Sequence, residues 1–194
     1  MIARYKALLL FFYLLPCTAT WADPVSKDWS KLGSLTMPSW QTVNDPLVES
    51  VYDRQTTLNK GRRLTIHELM PKGNSGPNWR KRHWIVIIED SPRSVQAVMA
   101  SFVKRIGKNC SGKVSYADFK RPRGAWLYVI QCGKLKGENL GQVSMIWLNK
   151  KRGHMVRVSE DRRGKPFDLD GANKFWNENE LQKAISLLAQ NRMK

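Results

Sequence analysis

The period of apolar and polar positions changes along this chain, and the changes mark out its elements. Leu64-Thr65-Ile66-His67-Glu68-Leu69-Met70 alternates with a period of two and stops at Pro71, as a strand does. Lys72-Gly73-Asn74-Ser75-Gly76-Pro77-Asn78 then reads as a turn-rich loop. His83 to Glu89 is a second strand, apolar on both faces through Trp84, Ile85, Val86, Ile87 and Ile88, and such a run belongs in the middle of a covered sheet. From Ser91 the period becomes helical, with Val95, Val98, Met99, Phe102, Val103 and Ile106 at helical spacing. Ser91 is the expected N-cap and Pro92 suits the first helical position. The helix is expected to end near Gly107, with Lys104, Arg105 and Lys108 complementing its dipole.

Four further strands are predicted over Lys113 to Phe119, Trp126 to Cys132, Gln142 to Asn149 and His154 to Glu160. Their linkers, Lys120-Arg121-Pro122-Arg123-Gly124, Gly133 to Gly141 and Lys150-Lys151-Arg152-Gly153, are short and turn-like, so neighbouring strands should be antiparallel. A closing helix over about Glu178 to Gln190 presents Leu181, Ala184, Ile185 and Leu188 as its apolar stripe. The order is strand, strand, helix, four strands, helix. No βαβ alternation runs through it, which argues against a Rossmann-type nucleotide fold. The expected fold class is α+β: a single domain over residues 61–194, mainly an antiparallel sheet of about six strands packed by two main helices, an α/β sandwich. This order of elements over residues 60–190 resembles the small exported α/β sandwich domains of the PsbP/Mog1 type. The resemblance is one of topology and brings no site residue with it.

The N-terminal segment follows a different pattern. Arg4 and Lys6 precede the uncharged run Ala7 to Leu15, Pro16 breaks it, and Thr20-Trp21-Ala22 closes it: the order of a secretory signal peptide over residues 1–22, cleaved after Ala22. The apolar run is shorter than the ~20 residues that span a bilayer. Cys17 raises the alternative of a lipid-modified cysteine, but Pro16 and Leu15 stand where such signals want other residues. Residues 23–60 read as an irregular lead-in, punctuated by Pro24, Pro38 and Pro46 and pinned by Trp29 and Trp40. The expected location is periplasmic or secreted, with no transmembrane segment after cleavage.

Charge and cysteines narrow the picture further. Loss of Arg4 and Lys6 lowers the formal charge of +17 by two, leaving a very basic chain. Cys110 and Cys132 survive cleavage, and an isolated pair in an oxidising compartment is expected to form a structural disulfide. A redox or metal pair would want a CxxC spacing or nearby histidines, which are missing.

In a meander, alternate turns emerge at the same end. Lys120, Arg121 and Arg123 should therefore lie with Lys150, Lys151 and Arg152, as an anion-binding set. Lys134, Lys136, Arg162, Arg163 and Lys165 should lie at the other end. Cationic turns also serve solubility and keep sheet edges unpaired, but an excess of one sign this large creates a long-range field that favours an anionic partner.

The search for chemistry is mostly negative. There is no GxSxG, no HExxH and no phosphate-binding glycine loop. The three histidines, His67, His83 and His154, each sit in a strand among apolar residues and read as core or sheet-face residues. Asp168-Leu169-Asp170-Gly171 resembles a fragment of a calcium loop without the remaining ligands, and a surface turn is the better account. Glu89-Asp90 and Glu160-Asp161 each end a strand and would form a carboxylate pair if those ends converged. Trp126 and Trp147 fall on adjacent strands as core residues, although their place beside basic turns would also suit stacking on glycans or bases.

The expected function is therefore that of a non-enzymatic exported protein binding an anionic surface (lipid or glycan) or a protein partner, with nucleic acid possible but not favoured. No cofactor or metal is expected. The alternatives are a hydrolase with an unfamiliar site, using His67, His83 or His154 with a strand-end carboxylate and requiring two of those residues to converge in a pocket, or a secreted effector or toxin.

Overall fold

In a computed structural model, the described residues are 32–42, 47–55, 63–74, 79–171 and 174–194. The signal-like segment 1–22, with Cys17, and Trp29 lie outside them. The elements in chain order are β1 (Gly33–Ser34), β2 (Leu47–Gln55), β3 (Arg63–Pro71), β4 (Lys81–Ile88), α1 (Val95–Asn109), β5 (Val114–Lys120), β6 (Trp126–Cys132), β7 (Gly141–Lys151), β8 (His154–Gly164), α2 (Glu178–Leu188) and β9 (Arg192–Met193). The six expected strands are all present, and a seventh, β2, lies in the stretch read as an irregular lead-in. β1 also falls there and pairs with β9 at the C-terminus.

The main sheet is antiparallel throughout, in the order β2-β3-β4-β8-β7-β6-β5. Hairpins make the meander β5 to β8 and the pair β3–β4. The one long crossing is α1, which carries the chain from β4 inside the sheet to β5 at its edge. Ile85 and Ile87 of β4 are buried against Val156 and Val158 of β8 on the face that α2 covers through Leu181, Ala184 and Leu188. Tyr128, Ile130, Ile146, Leu148 and Met155 meet Val95, Val98 and Met99 of α1 on the opposite face. One helix therefore lies on each side of the sheet, and β4 buries His83, Ile85 and Ile87 on the α2 face while Trp84, Val86 and Ile88 are half-buried on the other.

The first helix starts later than the sequence suggests. Ser91 is buried and donates its backbone N–H to Gly153 O at 2.8 Å in the β7–β8 turn. Ser94 caps the helix instead, its Oγ accepting from Ala97 N at 3.1 Å. A tertiary hydrogen bond thus holds Ser91 outside the helix. At the other end Cys110 and Cys132 form a disulfide, Cα atoms 5.8 Å apart, tying the end of α1 to the end of β6. Closing a loop of this size stabilises the fold by about 3 kcal/mol in the chain-entropy account.

Beyond α1, the same face of the sheet is covered by an interleaved stack of side chains. The Arg163 guanidinium lies 4.1 Å from the centre of the Trp79 ring, Arg82 lies 3.9 Å from Trp79 and 4.4 Å from Trp84, and Arg157 and Arg105 each lie 4.5 Å from Phe102. Carboxylates offset the charge. Arg82 pairs with Glu68 and Asp161, each at 3.5 Å, Arg163 pairs with Glu138 at 3.2 Å, and Trp84 Nε1 donates to Asp161 Oδ2 at 3.1 Å. Burial pulls the Arg157 pKa down to about 10 and lowers that of Arg163 as well, while it raises that of Glu68 against the opposing charge of Arg82. Arg162 and Arg163, expected in a turn, lie inside a strand because β8 runs on to Gly164. Arg162 is buried on the α2 face, bonded to Glu160 at 2.7 Å, to Glu180 at 2.9 Å and to Ser39 Oγ at 2.8 Å, which fastens the lead-in and α2 to the sheet.

Candidate anion-binding end of the sheet

The β7–β8 connection is a two-residue turn, with Arg152 at φ 51° and Gly153 at φ 83°, the left-handed pair that matches hairpin twist. In the β5–β6 connection Arg123 is left-handed at φ 63°, Gly124 follows at φ 76°, and Arg121 donates its N–H to Ala125 O at 2.8 Å. Placing a non-glycine residue there costs about 1 kcal/mol, least for Asn or Asp, and both positions carry arginine. The register pairs Trp126 with Leu148 and Lys151 with His154, so the two turns emerge at the same end of the sheet.

The six cations of the expected set divide there. Arg121 and Arg123 line a cavity of about 260 Å³. Lys151 and Arg152 are exposed on the neighbouring hairpin, and Lys120 is exposed at the end of the edge strand β5. Lys150 turns away, its Nζ donating to Arg93 O at 3.2 Å beside α1, because alternate residues of a strand face opposite sides.

Three polar residues that sequence reasoning did not single out also line the cavity: Asn149, Asn191 and Arg192. Asn149 stands on β7 beside Trp147, two residues away on the same face, and is 3% exposed; its Oδ1 has no hydrogen-bond partner. Asn191 is spent on structure, its Oδ1 accepting from Thr36 N at 2.6 Å and its Nδ2 donating to Leu188 O at 2.8 Å. That clamp and the β1–β9 pairing hold Arg192 over the sheet. A two-residue strand after a helix has no periodicity to read, so Arg192 could not be placed from the sequence. The described lining holds three arginines and no Asp or Glu, and no ion pair among the described residues engages Arg121, Arg123 or Arg192.

A second cavity, of about 160 Å³, opens on the same face at the same end, between β3, β4 and β8. Arg63, Thr65, His67, Glu89 and His154 line it with Leu32 and Ile87. It brings together two of the three histidines and one strand-end carboxylate. His154 Nδ1 is buried there without a hydrogen-bond partner. His83 is elsewhere, fully buried, its pKa lowered to about 3 by burial against the opposing charge of Asp161 and a backbone contact from Thr36.

The two carboxylate pairs do not converge. Antiparallel pairing sets His83 opposite Glu160 and Ile88 opposite Met155, which leaves Glu89 at one end of the sheet and Glu160-Asp161 towards the other. Asp168 to Gly171 forms a turn in which Gly171 N donates to Asp168 O at 3.2 Å, and among the described residues no group of three His, Cys, Asp or Glu side chains is placed to hold a metal ion. No helix among the described residues is long and apolar enough to cross a membrane. In comparisons with known proteins, the chain matches no family model, no curated protein and no solved structure.

Proposed function

We propose that this is an exported, non-enzymatic protein that docks on an anionic surface through the basic end of its sheet. The observation that carries the reading is the cavity in which Arg121, Arg123 and Arg192 gather with no carboxylate among its described lining residues. An arginine left without a counter-charge offers up to five donors in a planar fork that fits phosphate and carboxylate groups. Lys151 and Arg152 beside the cavity widen the field, and the net charge of the chain extends its range. The disulfide fits an oxidising compartment, and the signal-like N-terminus agrees with periplasmic or secreted placement. Sedimentation of the purified protein with neutral and anionic vesicles across a salt series tests the reading. Binding to anionic vesicles alone, weakening as salt rises, is the expected result; no binding at low salt overturns it.

A second reading, hydrolysis, is favoured by one observation: His67, His154 and Glu89 share a cavity with the hydroxyl of Thr65. In that case turnover of phosphate or carboxylate esters by the purified protein would disappear in a His154→Ala variant. Absence of turnover on both ester classes counts against it.

A further inference from the structure

We infer that the protein bridges two anionic lipid surfaces, holding the first at the arginine-lined end of its sheet and the second at a lysine-rich opposite end. This rests on the docking reading above and adds a second surface to it.

The opposite end is built by the connections that the meander sends the other way. Antiparallel pairing sets Val114 opposite Cys132, Cys132 opposite Gln142 and Lys81 opposite Arg162, away from the turns at Arg121 and Arg152. Lys72, Arg80 and Lys81 are exposed there in and beside the β3–β4 connection, Lys134 and Lys136 in the β6–β7 connection, and Lys113 just before β5. The disulfide holds the last two connections together, with Ser111 N donating to Lys134 O at 2.9 Å and Lys136 N to Asn109 O at 2.8 Å.

Acids at this end are missing or already matched. The stretches 72–81 and 110–113 contain no Asp or Glu, and Glu138, the one acid of 133–141, pairs with Arg163 at 3.2 Å. The segment that leaves β8 is balanced, with Lys165 and Lys174 against Asp168 and Asp170. Among the described residues no ion pair engages the six cations.

Separation makes these two sites and not one. β5 runs seven residues between the ends, roughly 23 Å. That is more than twice the Debye length of about 8 Å at physiological ionic strength, so the ends act as separate fields. They face opposite ways along the strands, and one flat surface cannot meet both. The lysine end is a row and not a pocket, spread over the strand spacings from β4 to β5, about 19 Å. Five of its six cations are lysines, point charges without the planar fork of arginine, which suits attraction to a surface of many phosphates. Tyr116 and Phe119, the exposed large hydrophobics among the described residues, stand on β5 outside these connections, so the end lacks the stacking platform of a single-stranded nucleic-acid site.

The test loads a supported bilayer of phosphatidylcholine and phosphatidylglycerol with the purified protein, then offers it vesicles of the same composition. The loaded bilayer should capture these vesicles and not vesicles of phosphatidylcholine alone. Replacing Lys134 and Lys136 together by Gln should leave loading, which the arginine end carries, within about twofold and weaken capture about thirtyfold. Replacing Lys104 and Lys183 by Gln removes the same charge from exposed positions on α1 and α2 and should leave capture within about twofold. Loading without capture overturns the inference alone, whereas failure to load overturns the docking reading. Capture that survives the loss of Lys134 and Lys136, as when two copies meet back to back, overturns the inference too. So does an equal loss in the Lys104 and Lys183 variant, which assigns capture to net charge. Capture of duplex DNA but not of vesicles overturns it in favour of nucleic acid.

Discussion

On one face of the sheet Arg82, Arg105, Arg157 and Arg163 are interleaved with Trp79, Trp84 and Phe102 and offset by Glu68, Glu138 and Asp161. On the other, Arg121, Arg123 and Arg192 surround a cavity whose described lining holds no carboxylate. Residue type is the same in both places and the surroundings are opposite. In the stack, each guanidinium lies against a ring and Arg82 and Arg163 also pair with carboxylates, so the arginines act as the cover of a sheet face that α1 does not reach. In the cavity no described carboxylate matches the charge, and two of the turns that present cations hold arginine in a backbone conformation that favours glycine or asparagine. Counting arginines does not distinguish a structural cluster from a binding one; the placement of the carboxylates does.

The contrast breaks most readily at Asp161. Asp161→Ala leaves Trp84 Nε1 without its acceptor and removes the carboxylate beside Arg82, and should cost about 3–5 kcal/mol in urea denaturation. A cost below about 1 kcal/mol would mean that the stack is not held by its acids.

The opposite result is expected at the cavity. Replacing Arg121, Arg123 and Arg192 together by Gln should weaken binding to anionic vesicles about a hundredfold, at roughly 1 kcal/mol per cation, while stability stays within about 0.5 kcal/mol. Large destabilisation with unchanged binding would reverse the two roles.

Acid acts on neither cluster but on a histidine buried in the fold. His83 is neutral in the fold, with its pKa near 3 against an unfolded value of 6.5, so the unfolded chain takes up the proton first. The stability it contributes is complete above about pH 6.5 and is lost as pH falls towards 3, by about 2 kcal/mol between pH 7 and pH 5. His83→Leu should flatten this slope in pH-dependent denaturation. A slope unchanged in the variant assigns the acid sensitivity to another group.

The smallest effect is at the hairpin tip. Arg152→Asn relieves a left-handed arginine and should raise stability by up to about 1 kcal/mol, while removing one cation lowers vesicle binding about fivefold. Denaturation midpoints and vesicle sedimentation of the one variant report both changes, and a loss in both would put Arg152 in the structure rather than the docking face.

Much of the fold was legible in the chain. Period-two runs gave the six strands to within two or three residues at most ends, and the helical stripe from Val95 to Ile106 gave α1. The doubly apolar run Trp84 to Ile88 indicated a central strand, and β4 does lie between β3 and β8. The disulfide followed from an isolated cysteine pair. Strand β2 was missed because Leu47-Val48-Glu49-Ser50-Val51-Tyr52-Asp53-Arg54-Gln55 alternates weakly between prolines and polar runs. The Ser91 cap was misplaced because Ser94 offers the same local chemistry, and only the bond from Ser91 to Gly153 selects between them.

The candidate site was legible only in part. Runs of cations in short turns and the parity of a meander placed Arg121, Arg123, Lys151 and Arg152 at one end, because both are properties of consecutive residues. What the sequence by itself determined is what depends on neighbours along the chain: strand and helix periods, turn positions, the cysteine pair and the overall charge. Tertiary structure decided which cations are matched. Asp161 reaches Arg82 across a strand pair, and Arg192 reaches the β5–β6 turn through a two-residue strand and the Asn191 clamp, contacts between residues far apart in the chain whose energies no local pattern records.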